Sequence, residues 1–224
     1  MDLPNGGYRH IPEVTVSRLP VYLRSLLEFS ERGVQTVSSE TLATATNVKA
    51  AKVRKDLSYM GSYGTRGVGY GVAQLIGQIR DRLGLNHDWN VGIAGAGNLG
   101  RALVNYKGFG ERKVSISAVF DNDEAKVGER VAGIEIQHAD TIEAAVREND
   151  LHIGIVATPA AVAQNVTDSF VAGGIQGILN FAPMVLQVPD GVMIRKVDLS
   201  IELQILGFYM GRGSAVPEPV EAAE

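Results

Sequence analysis

Gly95-Ala-Gly97-Asn-Leu-Gly100 and Asp121, 21 residues further on, are the positions of this 224-residue chain whose types and spacing best suit ligand chemistry. A glycine at the first place allows a tight turn. One at the second lets a pyrophosphate approach the backbone, and one at the third lets a helix pack closely on a strand. The intervening Ala96, Asn98 and Leu99 belong to the same candidate site, because a helix N-terminus offers free N–H groups to phosphate. Asp121 can accept hydrogen bonds from both adenosine ribose hydroxyls and would repel a 2′-phosphate. No arginine follows it immediately, so NAD(H) is expected over NADP(H).

The pattern carries weight only with a strand before it and a helix after it. Asn90–Ala94 reads as a buried strand, a helix is expected from Asn98 to about Tyr106, and Val114–Phe120 reads as the strand that delivers Asp121. A Rossmann-like fold that binds nothing is the competing reading. The α/β alternation continues with a short strand at Gly133–Ile136, a helix at Asp140–Arg147 and a buried strand at Leu151–Ala157. Helix Ala160–Ala172, strand Ile175–Leu179 and strand Ile194–Asp198 follow. Strand carboxyl ends line the crevice of such sheets, so Thr158 and Pro159 are candidates to border the nicotinamide half, and Asn180, onto which strand Ile175–Leu179 opens, joins the cofactor-binding set. Ser200–Met210 is apolar on nearly all sides and must be buried, either against a partner subunit or on its own domain.

The first 85 residues carry 11 Lys/Arg against 7 Asp/Glu, net +4, whereas the remainder carries 10 against 18, net −8. A basic segment joined to an acidic one suggests a polyanion partner for the former, a solvated charged face being the alternative. Three helices are expected there: one capped by Ser17 and running to about Arg32, with Pro20 in its first turn, one from Ser38 or Ser39 to near Asn47, and one from about Val48 to Tyr59. On the third, Ala50, Val53 and Leu57 form an apolar stripe with Lys52 and Lys55 nearly opposite, the arrangement of a helix-turn-helix. The glycine-alternating Gly61–Tyr70 then reads as a hairpin wing with Arg66 near its tip, suited to a narrow minor groove; an interdomain tether competes with this. Lys49, Lys52, Arg54, Lys55, Ser58, Tyr59, Arg66 and Gly67 are the candidate DNA-binding residues, and a helix over Val72–Leu83 closes the segment.

Composition excludes several classes. With 45% apolar and 21% charged residues the chain is globular rather than disordered or fibrous, and the absence of cysteine removes disulfides, thiolate metal sites and cysteine nucleophiles. The N-terminus lacks the apolar core of a signal peptide, and the uncharged Ser169–Pro189 is broken by Gly173-Gly174 and Pro183, so a soluble, cytoplasmic protein is expected. None of the four histidines is placed beside the expected nicotinamide, no metal spacing occurs, and little chain remains for a substrate domain. No catalytic or metal-binding residues are assigned. A sensor is expected, with an NAD-dependent oxidoreductase carrying a helical dimerisation extension as the alternative.

The strings VRKDLSYMGSYGTRGVGY (53–70), GAGNLGRALVNYKGFG (95–110), FDND (120–123), GILNFAP (177–183) and VDLSIELQ (197–204) resemble the Rex family of redox-sensing transcriptional repressors over about residues 14–212. The resemblance implies an α/β chain with four parts. These are a winged helix-turn-helix domain (1–84), a Rossmann NAD(H)-binding domain (85–198), a domain-swapped dimerisation helix (199–212) and a tail (213–224) expected to be disordered. It implies a homodimer that represses respiratory and fermentative genes from a palindromic operator. NADH releases the DNA, NAD⁺ is compatible with binding, and neither is turned over. It also implies that an aspartate exchanges between a tyrosine partner with NADH and an arginine partner on DNA, here Asp198, Tyr106 and Arg24. Two departures bear on operator specificity: Asn47-Val-Lys-Ala-Ala-Lys52 is less polar than expected and lacks a Gln before Val53, and the second helix is rich in Thr and Ala.

Overall fold

The computed structural model describes residues 11–62, 64–65 and 67–211, with side chains omitted at 111 and 112. Arg66 and the expected disordered tail after 212 therefore lie outside the described residues. The chain divides between Asn86 and His87 into two compact units.

In the first unit, helix α1 (Glu13–Glu31), strand β1 (Thr36–Val37), helices α2 (Ser39–Thr46) and α3 (Ala50–Tyr59), strand β2 (Tyr70–Gly71) and helix α4 (Val72–Arg82) enclose one core. Leu19, Tyr22, Leu26, Leu42, Val53, Leu57, Leu75 and Ile79 are buried in it. Helix α1 starts a turn earlier than the expected Ser17 cap: Pro12 is the N-cap, and the Ser17 hydroxyl donates to the Val14 carbonyl. The early turn is held because it brings buried Thr15 to an acceptor on α3. Pro20 thus lies in the helix interior, on its exposed side, where the Val16 carbonyl loses its helical donor. Ser38 caps α2 by accepting from the Thr41 N–H, and left-handed Asn47 ends it. That turn pushes the start of α3 to Ala50, two residues later than the spacing predicts. On α4 the buried stripe is Val72, Leu75 and Ile79, while Ala73 and Arg80 are exposed. The glycine-rich segment forms a short antiparallel bridge, Thr65 with Gly69, whose turn includes Gly67 at φ +80°.

The second unit is a seven-stranded sheet. Its strands are β3 (Trp89–Ala94), β4 (Val114–Asp121), β5 (Arg130–Val131), β6 (Ile134–His138), β7 (Ile153–Val156), β8 (Gly177–Asn180) and β9 (Met193–Lys196), in the order β5-β6-β4-β3-β7-β8-β9. All neighbours are parallel except β5, an edge strand that has no counterpart in the sequence reading. The direction of winding reverses between β3 and β7, the switch point of a dinucleotide fold. Helices α5 (Asn98–Val104), α6 (Ile142–Glu148) and α7 (Ala160–Gly173) make the crossovers. The first is two residues shorter than expected and gives way to a 3-10 turn at Lys107–Arg112. Phe120 and Phe170 meet edge to face in the main core. Helix α8 (Leu199–Gly211) ends the described chain with seven large apolar side chains exposed, from 44% at Ile205 to 81% at Met210. Packing on its own domain, one of the two expectations, does not occur.

Candidate functional site

The crevice at the carboxyl ends of β3, β4 and β7 is built from the turns that end them. Gly95 leaves β3 at φ +102°, and a Cβ there would stand 2.4 Å from the Ala157 carbonyl oxygen. A Cβ on Gly100 would stand 1.8 Å from the Gly95 carbonyl oxygen, so α5 can approach β3 only without a side chain at that place. At Gly97 a Cβ would meet nothing within 4 Å, because it would project into open space. That space is a cavity of about 710 Å³, within the range of small-molecule sites, lined by Gly95, Gly97, Asn98, Leu99, Asp121, Thr158 and Pro159 among others.

Asp121 is the charged anchor. One carboxylate oxygen accepts from the Asp123 N–H at 2.9 Å, and the other accepts from the Ala96 N–H at 2.8 Å and the Lys126 ammonium at 3.2 Å. Burial opposes its ionisation, but these three donors outweigh burial and hold the carboxyl below the usual range. Lys126, which also lines the cavity, escaped the sequence reading. Its signal was its place five residues after Asp121, within reach of a turn back onto the carboxylate. Thr158 is the second distinctive group: its hydroxyl is buried, and among the described residues it is the only buried side-chain polar atom without a partner. An open cradle at Gly97 and a fixed carboxylate suit a ligand with ribose hydroxyls and phosphates.

The other candidates stand elsewhere. Ala96 and Gly100 are buried behind the cavity wall. Asn180 is buried, accepting from the Ala182 N–H and donating to the Met184 carbonyl, so it shapes the loop after β8. Tyr106 is 54% exposed and meets Phe109 edge to face. Asp198 accepts from the Ser200 hydroxyl at 2.6 Å, has Lys196 at 3.4 Å, and is lowered chiefly by that hydroxyl. Arg24 is exposed on α1 of the first unit.

On the first unit, Lys49 and Lys55 are exposed, while Lys52, Ser58 and Tyr59 are half-buried along α3. Arg54 donates to the Ser39 hydroxyl at 3.0 Å and to Glu40 at 2.9 Å, both on α2. Asp56 of α3 is 1% exposed. It accepts from the Thr15 hydroxyl at 2.9 Å, from Arg18 twice at 2.7 Å and from the Tyr22 hydroxyl at 2.7 Å. Burial and the bond to Asp56 both keep the Tyr22 phenol protonated. Among the described residues no helix is long and apolar enough to cross a membrane.

Known proteins match both units. A family model described as a putative DNA-binding protein N-terminus matches residues 10–58, and one described as a CoA binding domain matches 86–184. The chain is 57% identical over 220 residues to the redox-sensing transcriptional repressor Rex of Streptomyces avermitilis, covering 98% of this chain and 87% of that one. The crystal structure of RSP in complex with β-NAD⁺ and operator DNA aligns with TM-score 0.87 at 33% identity, over 92% of this chain and 94% of that one. RSP in complex with β-NADH aligns with TM-score 0.83 at 32% identity, over 92% and 96%.

Proposed function

The chain belongs to the Rex family of redox-sensing transcriptional repressors, and on that premise we propose how its own residues divide the work of sensing and of binding DNA. It is a regulator and not an oxidoreductase, with NADH and NAD⁺ as regulatory ligands that are not turned over. The observation that carries the reading is the cavity at the sheet's switch point, open at Gly97 and with the Asp121 carboxylate in its wall.

Asp121 accepts the adenosine ribose hydroxyls, sharing its second oxygen with Lys126 and the Ala96 N–H. Gly95, Gly97, Asn98 and Leu99 form the pyrophosphate cradle, Gly100 lets α5 pack close behind it, and Thr158 and Pro159 border the nicotinamide half, with Asn180 holding the loop after β8. A bound nicotinamide supplies a charge that reports redox state, positive when oxidised and neutral when reduced. Asp198 reads that state by exchanging between Tyr106 and Arg24. To move the population from 1:99 to 99:1, the released state must bind NADH roughly 10⁴-fold more tightly, about 5.5 kcal/mol.

Lys52, Arg54 and Lys55 enter the major groove of a palindromic operator, with Lys49, Ser58 and Tyr59 on its phosphates and Arg66 and Gly67 of the wing at the minor groove. The protein acts as a cytoplasmic homodimer through exchange of the C-terminal segment 199–212, which contains α8 and follows a DNA-binding domain of residues 1–84 and a Rossmann domain of residues 85–198. The exposed apolar length of α8 supports this, since one subunit leaves it in water. The test is DNA-binding anisotropy on a palindromic duplex selected from a random pool, titrated with NADH and then with excess NAD⁺. Release by NADH, reversed by NAD⁺, is expected. Tight binding indifferent to both would refute the reading.

A further inference from the structure

Helix α3 carries its basic side chains toward solvent, yet it also buries a carboxylate. On a helical wheel Asp56 lies where the core stripe of Val53 and Leu57 gives way to the basic face, about 40° from Lys52. Taking a carboxylate out of water costs several kcal/mol, and an apolar side chain of similar size often stabilises a fold as well or better. Stability alone therefore does not account for Asp56. Directional bonds do what apolar packing cannot. Both oxygens are engaged by three consecutive turns of α1, through Thr15, Arg18 and Tyr22 at 2.7–2.9 Å. Such a set is satisfied at one rotation and one axial register of α3 only.

Arg54 of α3 also bonds to the Ser39 hydroxyl and to Glu40 on α2, but with the Arg54 and Glu40 side chains 51% and 68% exposed this is a weak surface link that does little to fix an orientation. Precision matters here because side chains project about 6 Å from a helix axis, so a 30° rotation moves their tips on the order of 3 Å, the length of a hydrogen bond. We infer that Asp56, clamped by Thr15, Arg18 and Tyr22, is a positioning residue that sets the rotation of the recognition helix, and so governs sequence discrimination without touching DNA. This rests on the operator-binding reading given above. The clamp confers specificity more than affinity, since phosphate contacts tolerate small rotations and base-edge contacts do not.

The experiment compares the full-length wild type with Asp56→Asn and Tyr22→Phe. Each is titrated on the selected palindrome and on a scrambled duplex of equal composition, over a range of salt, with NADH binding read by fluorescence as a control. The ratio of the two affinities is expected to fall about tenfold or more in Asp56→Asn, the discrimination of one bidentate base contact, and to a smaller extent in Tyr22→Phe. Affinity for the scrambled duplex, its salt slope and NADH binding stay within about twofold. An unchanged ratio in both variants overturns the inference. So does a parallel loss on both duplexes in Tyr22→Phe, a substitution mild enough to keep the fold should Asp56→Asn unfold the unit. If the wild type itself fails to discriminate, the operator-binding reading fails first and takes the inference with it.

Discussion

Gly97 and Gly100 stand three residues apart in one motif, yet replacing each by alanine should have opposite consequences. At Gly100 the new Cβ lies 1.8 Å from the Gly95 carbonyl oxygen, more than 1 Å inside any tolerable contact, and the obstructing atom is backbone. Alanine's better helix propensity favours the variant by about 1 kcal/mol. The clash dominates: forcing a methyl group into a packed contact costs about 1–3 kcal/mol, and a rigid carbonyl on a strand-ending turn places this case at the top of that range. A net loss of about 2 kcal/mol should lower the melting temperature of the nucleotide-binding unit by roughly 6–10 °C. At Gly97, φ is −77° and the Cβ meets nothing, so alanine fits and gains a few tenths of a kcal/mol by restricting the unfolded chain. The methyl group then occupies the cradle, and NADH affinity should fall by tenfold or more. Differential scanning calorimetry and NADH fluorescence titration read the two effects separately. A Gly100→Ala protein melting with the wild type, or a Gly97→Ala protein that loses stability while binding NADH normally, would refute the assignment of packing to one glycine and ligand approach to the other.

Thr158→Val should leave stability unchanged or slightly raised without ligand, because an unpaired buried hydroxyl is removed, and should weaken NADH binding about 3–10-fold; unfolding and fluorescence titrations check both halves. The Asp121 carboxyl is held below its unfolded value of about 3.9, so its contribution to stability is present above that pH and lost as pH falls through the folded value. The stability gap between wild type and Asp121→Asn should accordingly be constant near neutrality and shrink below about pH 4; a gap independent of pH would contradict the donor set described. Leu203→Glu combined with Phe208→Glu on α8 should convert a dimer to monomers in light scattering, with NADH binding retained. Asp198→Ala should bind the operator with its response to NADH lost, and an anisotropy titration with an unaltered NADH response would remove Asp198 from the switch.

Much of this protein is local and therefore legible in its sequence. The turn at Gly95, the packing at Gly100 and the delivery of Asp121 follow from the order strand, glycine motif, helix, strand, because each is decided within a few residues of backbone. The helix-turn-helix was legible for the same reason, through a start at Ser38 or Ser39, an end near Asn47 and the period of Val53 and Leu57. Boundaries set by distant partners were not. The first turn of α1 depends on Asp56, 41 residues beyond Thr15, and nothing near Ser17 announces it. The bonds that Arg54 makes to Ser39 and Glu40 on α2 were not legible either, because they depend on how two helices meet. The roles of Asp56, Lys126 and the Thr158 hydroxyl were decided by tertiary structure, because burial and pairing of a polar group depend on which surfaces meet, whereas periodicity fixes only which face each residue shares. The sequence by itself determined the two kinds of unit and the ligand chemistry of one. Only the packed structure decided which charges are held inside, and so which residues are left to act on a partner.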